Sequence, residues 1–253
     1  MRIVRFQHRD TIAYGFVEGE TVYALEGELC SKFQRGAAVA PLATVRLLAP
    51  CQPSKVVAVG LNYRDHAVET RNALPAEPLL FLKPATSVIG PGEAIVRPAM
   101  SQQVDHEAEL AVVIGRRAQK VGPEDATGYI LGYTCANDVT ARDIQQRERH
   151  NSRAKSFDTF CPLGPWIVTD LSPDDLGIQC RVNGVRRQDS RTSQLVFGVP
   201  ALVSFVSQVM TLLPGDVILT GTPAGIGPLS SSDVVEVEIE GVGVLRNTVR
   251  RDT

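Results

Sequence analysis

One stretch limits this chain more than any other: "VDHEAELAVVIG", residues 104–115. Glu107 and Glu109 run straight into Leu110-Ala111-Val112-Val113-Ile114, an apolar and largely β-branched run that reads as a buried strand. Residues i and i+2 of a strand point to the same side, roughly 6.6 Å apart, so the two carboxylates share a face. Two readings follow. Either the acids mark the solvated start of the strand, or they are buried together, and then one pKa must rise sharply unless a cation lies between them. A hard divalent ion such as Mg²⁺, which takes carboxylate oxygens in octahedral geometry, resolves that conflict. Asp138 ends a second apolar stretch, "GYILGYTCAND", at the kind of strand end where ligands often bind. A lone Asp there is ordinarily a turn or capping residue. With the two glutamates it completes a three-carboxylate set, and all-oxygen ligation favours Mg²⁺ or Mn²⁺ over zinc. The following "VTARDIQQRERH" reads as a helix with Thr140 as N-cap and Asp143 at N3.

The rest of the chain is mostly strand by pattern. Residues 2–6, 11–18 and 21–25 form a small β-meander, and residues 31–55, rich in Ala and Pro, read as a connection. "KVVAVG", "PWIVTD" and "VILTG" are further strands, "GIQCRVNGVRRQ" is a hairpin about Asn183-Gly184, and residues 233–250 fold back at Gly241. One helix stands out in "PALVSFVSQVMTLL", with Leu202, Phe205, Val206, Val209, Met210 and Leu213 on one predicted face. The expected class is α+β, with a mixed, rolled or barrel-like sheet in residues 51–253 and a small N-terminal β-rich domain in residues 1–50. A 253-residue chain buries roughly 75% of the surface its unfolded form exposes, so it needs no staples. A net charge of −2 gives no electrostatic reason to expect nucleic acid or an anionic membrane as partner. The five cysteines are scattered without metal-ligand spacing and read as reduced thiols. With no apolar h-region at the N-terminus and no membrane-length apolar run, the expected location is cytoplasmic.

Seven blocks, in order, carry a further signal: "VGLNYRDHAVE", "VDHEAELAVVIG", "GYTCANDVTARDIQ", "AKSFDTFCPLGPW", "VNGVRRQDSRTSQLVF", "LLPGDVILTGTPAGIG" and the closing hairpin. Together they resemble the fumarylacetoacetate hydrolase family over roughly residues 50–250. The resemblance implies a mixed β-roll fold, a homodimer, and a divalent metal, Mg²⁺ with Mn²⁺ or Ca²⁺ as alternatives, held by Glu107, Glu109 and Asp138. It also implies that His66 and Glu69, one helical turn apart, form a general-base pair on a segment that closes over the substrate. An exposed ion pair is the ordinary reading of any H-x-x-E. Lys155 is implied beside the substrate's carboxylate and developing enolate. Tyr63, Arg64, Gln145 and Thr222 are implied as substrate contacts, the last within "LTGTPAGIG", whose backbone N–H groups and hydroxyl can hold a carboxylate. One departure stands out. "RERHNSRAKSF", with four arginines and lysines and His150, replaces a stretch that is often aromatic or Gly-rich, and it bears on substrate identity.

The implied substrate is a small 2-keto or diketo acid. C–C cleavage through a metal-stabilised enolate comes first, as in acylpyruvate or fumarylpyruvate hydrolysis or oxaloacetate decarboxylation. Isomerisation of the 2-hydroxyhepta-2,4-diene-1,7-dioate type comes second. A non-catalytic carboxylate-binding protein is the rival from another class, and it would be favoured only if one of the six chemical residues were missing.

Overall fold

A computed structural model describes residues 1–252. It is mostly sheet with few helices, in one twelve-stranded, one five-stranded and one three-stranded sheet. The N-terminal strands Arg2–His8, Thr11–Glu18 and Thr21–Gly27 form the expected meander. The chain then returns as a further strand, Phe33–Pro41, antiparallel to Thr21–Gly27. By composition that segment reads as connection. It is an outer strand with a single buried residue, so it lacks the apolar alternation that betrays a half-buried one.

Arg2–His8 also pairs with Cys161–Val168, Arg2 lying opposite Val168, which joins the meander to the main sheet. From there the order runs through Ile130–Asn137, Ala108–Ile114, Val217–Leu219 and Val56–Gly60 to the edge strand Leu79–Lys83. The sheet is mixed, because Val217–Leu219 lies parallel to Val56–Gly60. The five-stranded sheet holds the hairpin Gly177–Val182 and Val185–Arg191. Its turn residues Asn183 and Gly184 have φ of 52° and 77°, both positive as a type I′ turn demands.

Ala108–Ile114 is buried along its whole length. Leu110, Val112 and Ile114 enter the largest apolar cluster. Ala111 and Val113 enter a second one with Val56, Leu163 and Leu219. By the two-residue repeat of a strand, Glu107 and Glu109 sit on the Ala111–Val113 face, at its open end. The helix Val199–Val209 buries Leu202, Val203, Val206 and Ser207, whereas Val209 is 60% and Leu213 38% exposed. The buried face is therefore rotated from the predicted one. The cause is polar: Ser204 Oγ donates to the Val121 carbonyl and Val121 N–H donates to Ser207 Oγ, which turns the serine side onto the body. Extended backbone at Met210 takes Leu213 off the helix. Among the described residues no helix is long and apolar enough to cross a membrane.

Candidate metal centre and active site

Glu107, Glu109 and Asp138 each offer a carboxylate oxygen, and these three oxygens lie within 4.8 Å of one another. All three residues are buried, at 4%, 2% and 1% exposure, which removes the reading of two solvated acids at a strand start. Local structure brings them together. Glu107 occupies the break between the strands Val104–His106 and Ala108–Ile114, and its N–H donates to Asn137 Oδ1 at 2.9 Å. Asp138 follows the end of Ile130–Asn137, which pairs with Ala108 through Asn137. Glu109 accepts from Gly221 N–H at 2.6 Å. Gly221 has φ +103°, and a Cβ there would meet the Asn62 Cβ at 2.8 Å, so only glycine presents this N–H.

Charge is shared unevenly. Lys155 Nζ donates to Glu107 Oε2 at 2.8 Å and to Asp138 Oδ2 at 2.6 Å. Lys83, fully buried, donates to Asp138 Oδ1, and Arg142 donates to Glu107 Oε1. Burial alone would raise the Glu107 carboxyl, but Lys155 and Arg142 hold it well below the usual carboxylate range. Burial would lower the Lys155 ammonium, but Asp138 and Glu107 raise it, so it stays charged. Among the described residues Glu109 has no cationic hydrogen-bond partner. Burial, then the like charges of Asp138 and Glu107, push its carboxyl well above the usual range. Three converging oxygens, one of them lacking a counter-charge, fit a hard divalent cation.

The three acids line a cavity of about 260 Å³ together with His66, Lys155 and Arg142. His66 and Glu69 belong to the short helix Arg64–Glu69 and touch as their spacing predicts, Nδ1 to Oε2 at 2.9 Å. Glu69 Oε1 also accepts Gly225 N–H at 2.9 Å, and Asp65 Oδ2 accepts the Ser190 hydroxyl at 3.0 Å. The helix is thus tied down on two sides. Because Glu69 accepts at Nδ1, the ring proton sits there and Nε2 is the basic nitrogen.

The other predicted contacts divide. Gln145 and Thr222 line the cavity. The Thr222 hydroxyl donates to the Ala108 carbonyl at 2.8 Å and accepts from Gln188 Nε2 at 2.7 Å, so its proton is already engaged. The turn expected to hold a ligand's carboxylate gives N–H groups to the protein's own Glu109 and Glu69. Tyr63 is 0% exposed, its hydroxyl without a partner among the described residues, and exposed Arg64 donates to the Leu195 carbonyl at 3.1 Å; neither lines the cavity. Thr140 is not the helix cap. The N-cap position is Ala141, and the Thr140 hydroxyl lies 2.9 Å from the Asp138 carbonyl and 3.2 Å from Glu107 Oε1.

Arg142, Lys83, Asn151 and Gln188 were not singled out in the sequence. Gln188, fully buried, accepts from Ala108 N–H at 2.9 Å, the residue between the two glutamates, and donates to Thr222 and Pro223. Its only sequence trace is a polar residue in a hairpin strand otherwise free to face water.

Residues 55–250 match the fumarylacetoacetate (FAA) hydrolase C-terminal family, and residues 1–50 match the Rv2993c-like N-terminal family. The chain is 47% identical to oxaloacetate tautomerase FAHD2B of Bos taurus, over 83% of this chain and 71% of that protein. Among solved structures it is similar to 2-hydroxyhepta-2,4-diene-1,7-dioate isomerase from Mycobacterium marinum, with 46% identity, TM-score 0.93 and coverage of 100% and 99% of the two chains. It is also similar to maleylpyruvate hydrolase from Sphingobium sp. SYK-6 in complex with manganese(II) and pyruvate, with 31% identity, TM-score 0.83 and full coverage of both chains.

Proposed function

From the premise that the chain belongs to the fumarylacetoacetate hydrolase family, we propose that it is a divalent-metal-dependent enzyme that moves a proton on the carbon chain of a small 2-keto acid, at C3 or, in a conjugated dienol, at C5. The observation that carries this reading is the placement of the three carboxylates and the His66–Glu69 pair in one small cavity. When bound, the cation supplies Lewis-acid charge for the substrate's keto and carboxylate oxygens. Mg²⁺ suits the all-oxygen donors best, with Mn²⁺ and Ca²⁺ as alternatives. His66 Nε2 takes the proton, while Glu69, itself fixed by Gly225, orients the ring and stabilises the imidazolium. Lys155 keeps positive charge beside the acids, where negative charge develops on the substrate.

Cleavage of a C–C bond ranked first in the sequence and ranks second here. The relatives named for tautomerase and isomerase activity are 46–47% identical, whereas solved structures named as hydrolases are 31% and 38% identical. Cleavage keeps one specific support: the same His66–Glu69 pair can deprotonate water as readily as a carbon acid. A panel decides. The enol form of oxaloacetate, a 2-hydroxyhepta-2,4-diene-1,7-dioate and 2,4-dioxopentanoate should be followed in the ultraviolet with Mg²⁺ and with excess chelator. Metal-dependent ketonisation or isomerisation is expected to be fastest. Cleavage of the dioxo acid outrunning both would reverse the order, and undiminished turnover in chelator would remove the metal.

The homodimer is part of the same reading. Leu79 and Leu82, 49% and 48% exposed, lie on the edge strand Leu79–Lys83, and Val68 nearby in sequence on the short helix is 79% exposed. A second copy packed along that sheet edge would cover exposed leucines on both of its faces, C₂ pairing being the commonest closed symmetry. Sedimentation at micromolar concentration should give twice the mass of one chain; a monomer would contradict it.

A further inference from the structure

A chain of side-chain hydrogen bonds runs from the buried acids to the cavity wall. Arg142 has only donors. Its Nε goes to Asp105 Oδ2 at 2.8 Å, one terminal nitrogen to Glu107 Oε1, and the other to Gln145 Oε1 at 2.5 Å. Gln145 must therefore turn its oxygen to the arginine and its nitrogen away, and Nε2 donates to Asn151 Oδ1 at 2.7 Å. The constraint passes on. With its oxygen engaged, Asn151 is left with its Nδ2, which has no partner among the described residues, and Asn151 lines the cavity. The two ends of an amide have the same shape, but here a donor-only arginine two links away fixes which end is which. The cations of the cavity wall are already committed, Arg142 as above and Lys155 to Glu107 and Asp138. Asn151 thus offers the substrate an uncharged donor of defined polarity.

We propose that Asn151 is a specificity-determining residue that donates from Nδ2 to an acceptor oxygen carried by the substrate beyond C3, so that the enzyme selects 2-keto acids bearing a second carbonyl or carboxylate. This rests on the 2-keto acid reading above. Asn151 lies in "RERHNSRAKSF", between the end of the helix Arg142–Glu148 and Lys155. A neutral hydrogen bond contributes about 0.5–1.5 kcal/mol, which corresponds to a discrimination of up to roughly tenfold.

The test uses 2,4-dioxopentanoate and 2-oxopentanoate, which differ only at C4. Both are titrated calorimetrically into the Mg²⁺-loaded full chain, with His66→Ala present throughout to suppress turnover. With Asn151 in place, the dioxo acid should bind roughly tenfold more tightly. Asn151→Ala should erase that gap by weakening the dioxo acid alone. Asn151→Asp still accepts from Gln145 but presents an acceptor to an acceptor, and should invert the gap. In Asn151→Ala, affinity for 2-oxopentanoate and affinity for Mg²⁺ alone should stay unchanged. A gap that survives both variants, no gap with Asn151 present, or equal weakening of both ligands would overturn the assignment. Failure of both acids to bind with Asn151 present would instead remove the 2-keto acid reading, and this inference with it.

Discussion

Glu109→Gln should fold, lose its divalent cation and lose its activity. Glu109 is the one acid of the three without a cationic hydrogen-bond partner, its carboxyl held by Gly221 N–H alone. Glu107 and Asp138 are already neutralised by Lys155, Arg142 and Lys83. The amide keeps the shape and removes the charge that a cation would meet. Affinity for Mn²⁺, measured by paramagnetic resonance, should fall roughly 100-fold or more, beyond the 10–100-fold typical of losing an outer partner of a ligand. Thermal unfolding gives an independent view. At Mg²⁺ concentrations of about 100 times Kd, the unsubstituted protein should gain about 2.7 kcal/mol, and the variant should gain almost nothing. In excess chelator the order should reverse, because the variant no longer buries a carboxyl beside two like charges. Burial and those charges also raise the Glu109 carboxyl. A proton therefore competes with the cation, and metal affinity should weaken as pH falls. Unchanged Mn²⁺ affinity in the variant would refute the centre.

His66→Ala should lower turnover by roughly 10²–10⁴-fold, the usual contribution of a positioned general base, while metal affinity stays as it was. His66 shares the cavity with the acids, and its hydrogen bond goes to Glu69. Glu69→Gln should follow the same pattern more weakly, because it keeps the base and loses imidazolium stabilisation. Decarboxylation of oxaloacetate, which needs neither a deprotonated water nor removal of an enol proton, should fall much less than ketonisation or dioxo acid hydrolysis on the same preparation. Equal losses in all three, or loss of bound metal, would show that His66 supports the centre and does not carry the proton.

What was legible in the sequence, and what was not, follows from the range of each interaction. Glu107 with Glu109, and His66 with Glu69, lie two and three residues apart, so local geometry alone puts each pair together. Asp138 is reached through a single strand pairing, Ala108 opposite Asn137, and the strand-end position hinted at it. Arg142 and Lys83 are different. Each is a lone basic residue, ordinarily solvated, whose burial depends on elements that meet only in the folded sheet. The strand Phe33–Pro41 was missed because an outer strand needs no apolar alternation. The helix face was misjudged because two serines, polar in any hydropathy pattern, dock it through hydrogen bonds to Val121.

Lys83 bears on how the sheet finds its alignment. It is the one fully buried residue of Leu79–Lys83, where the other positions are half-buried or exposed. Apolar contrast between the two faces of that strand is small, and such strands slide easily, since a shift by one residue exchanges their faces. Here a one-residue slip would carry the ammonium into water and leave Asp138 Oδ1 without its donor. Removing one partner of a buried ion pair costs about 3–5 kcal/mol, more than the exchange of partly exposed leucines could return. The ion pair beneath the candidate centre therefore acts as a ratchet tooth for the outermost strand, and the alignment of that strand and the electrostatics of the acids are set by the same lysine.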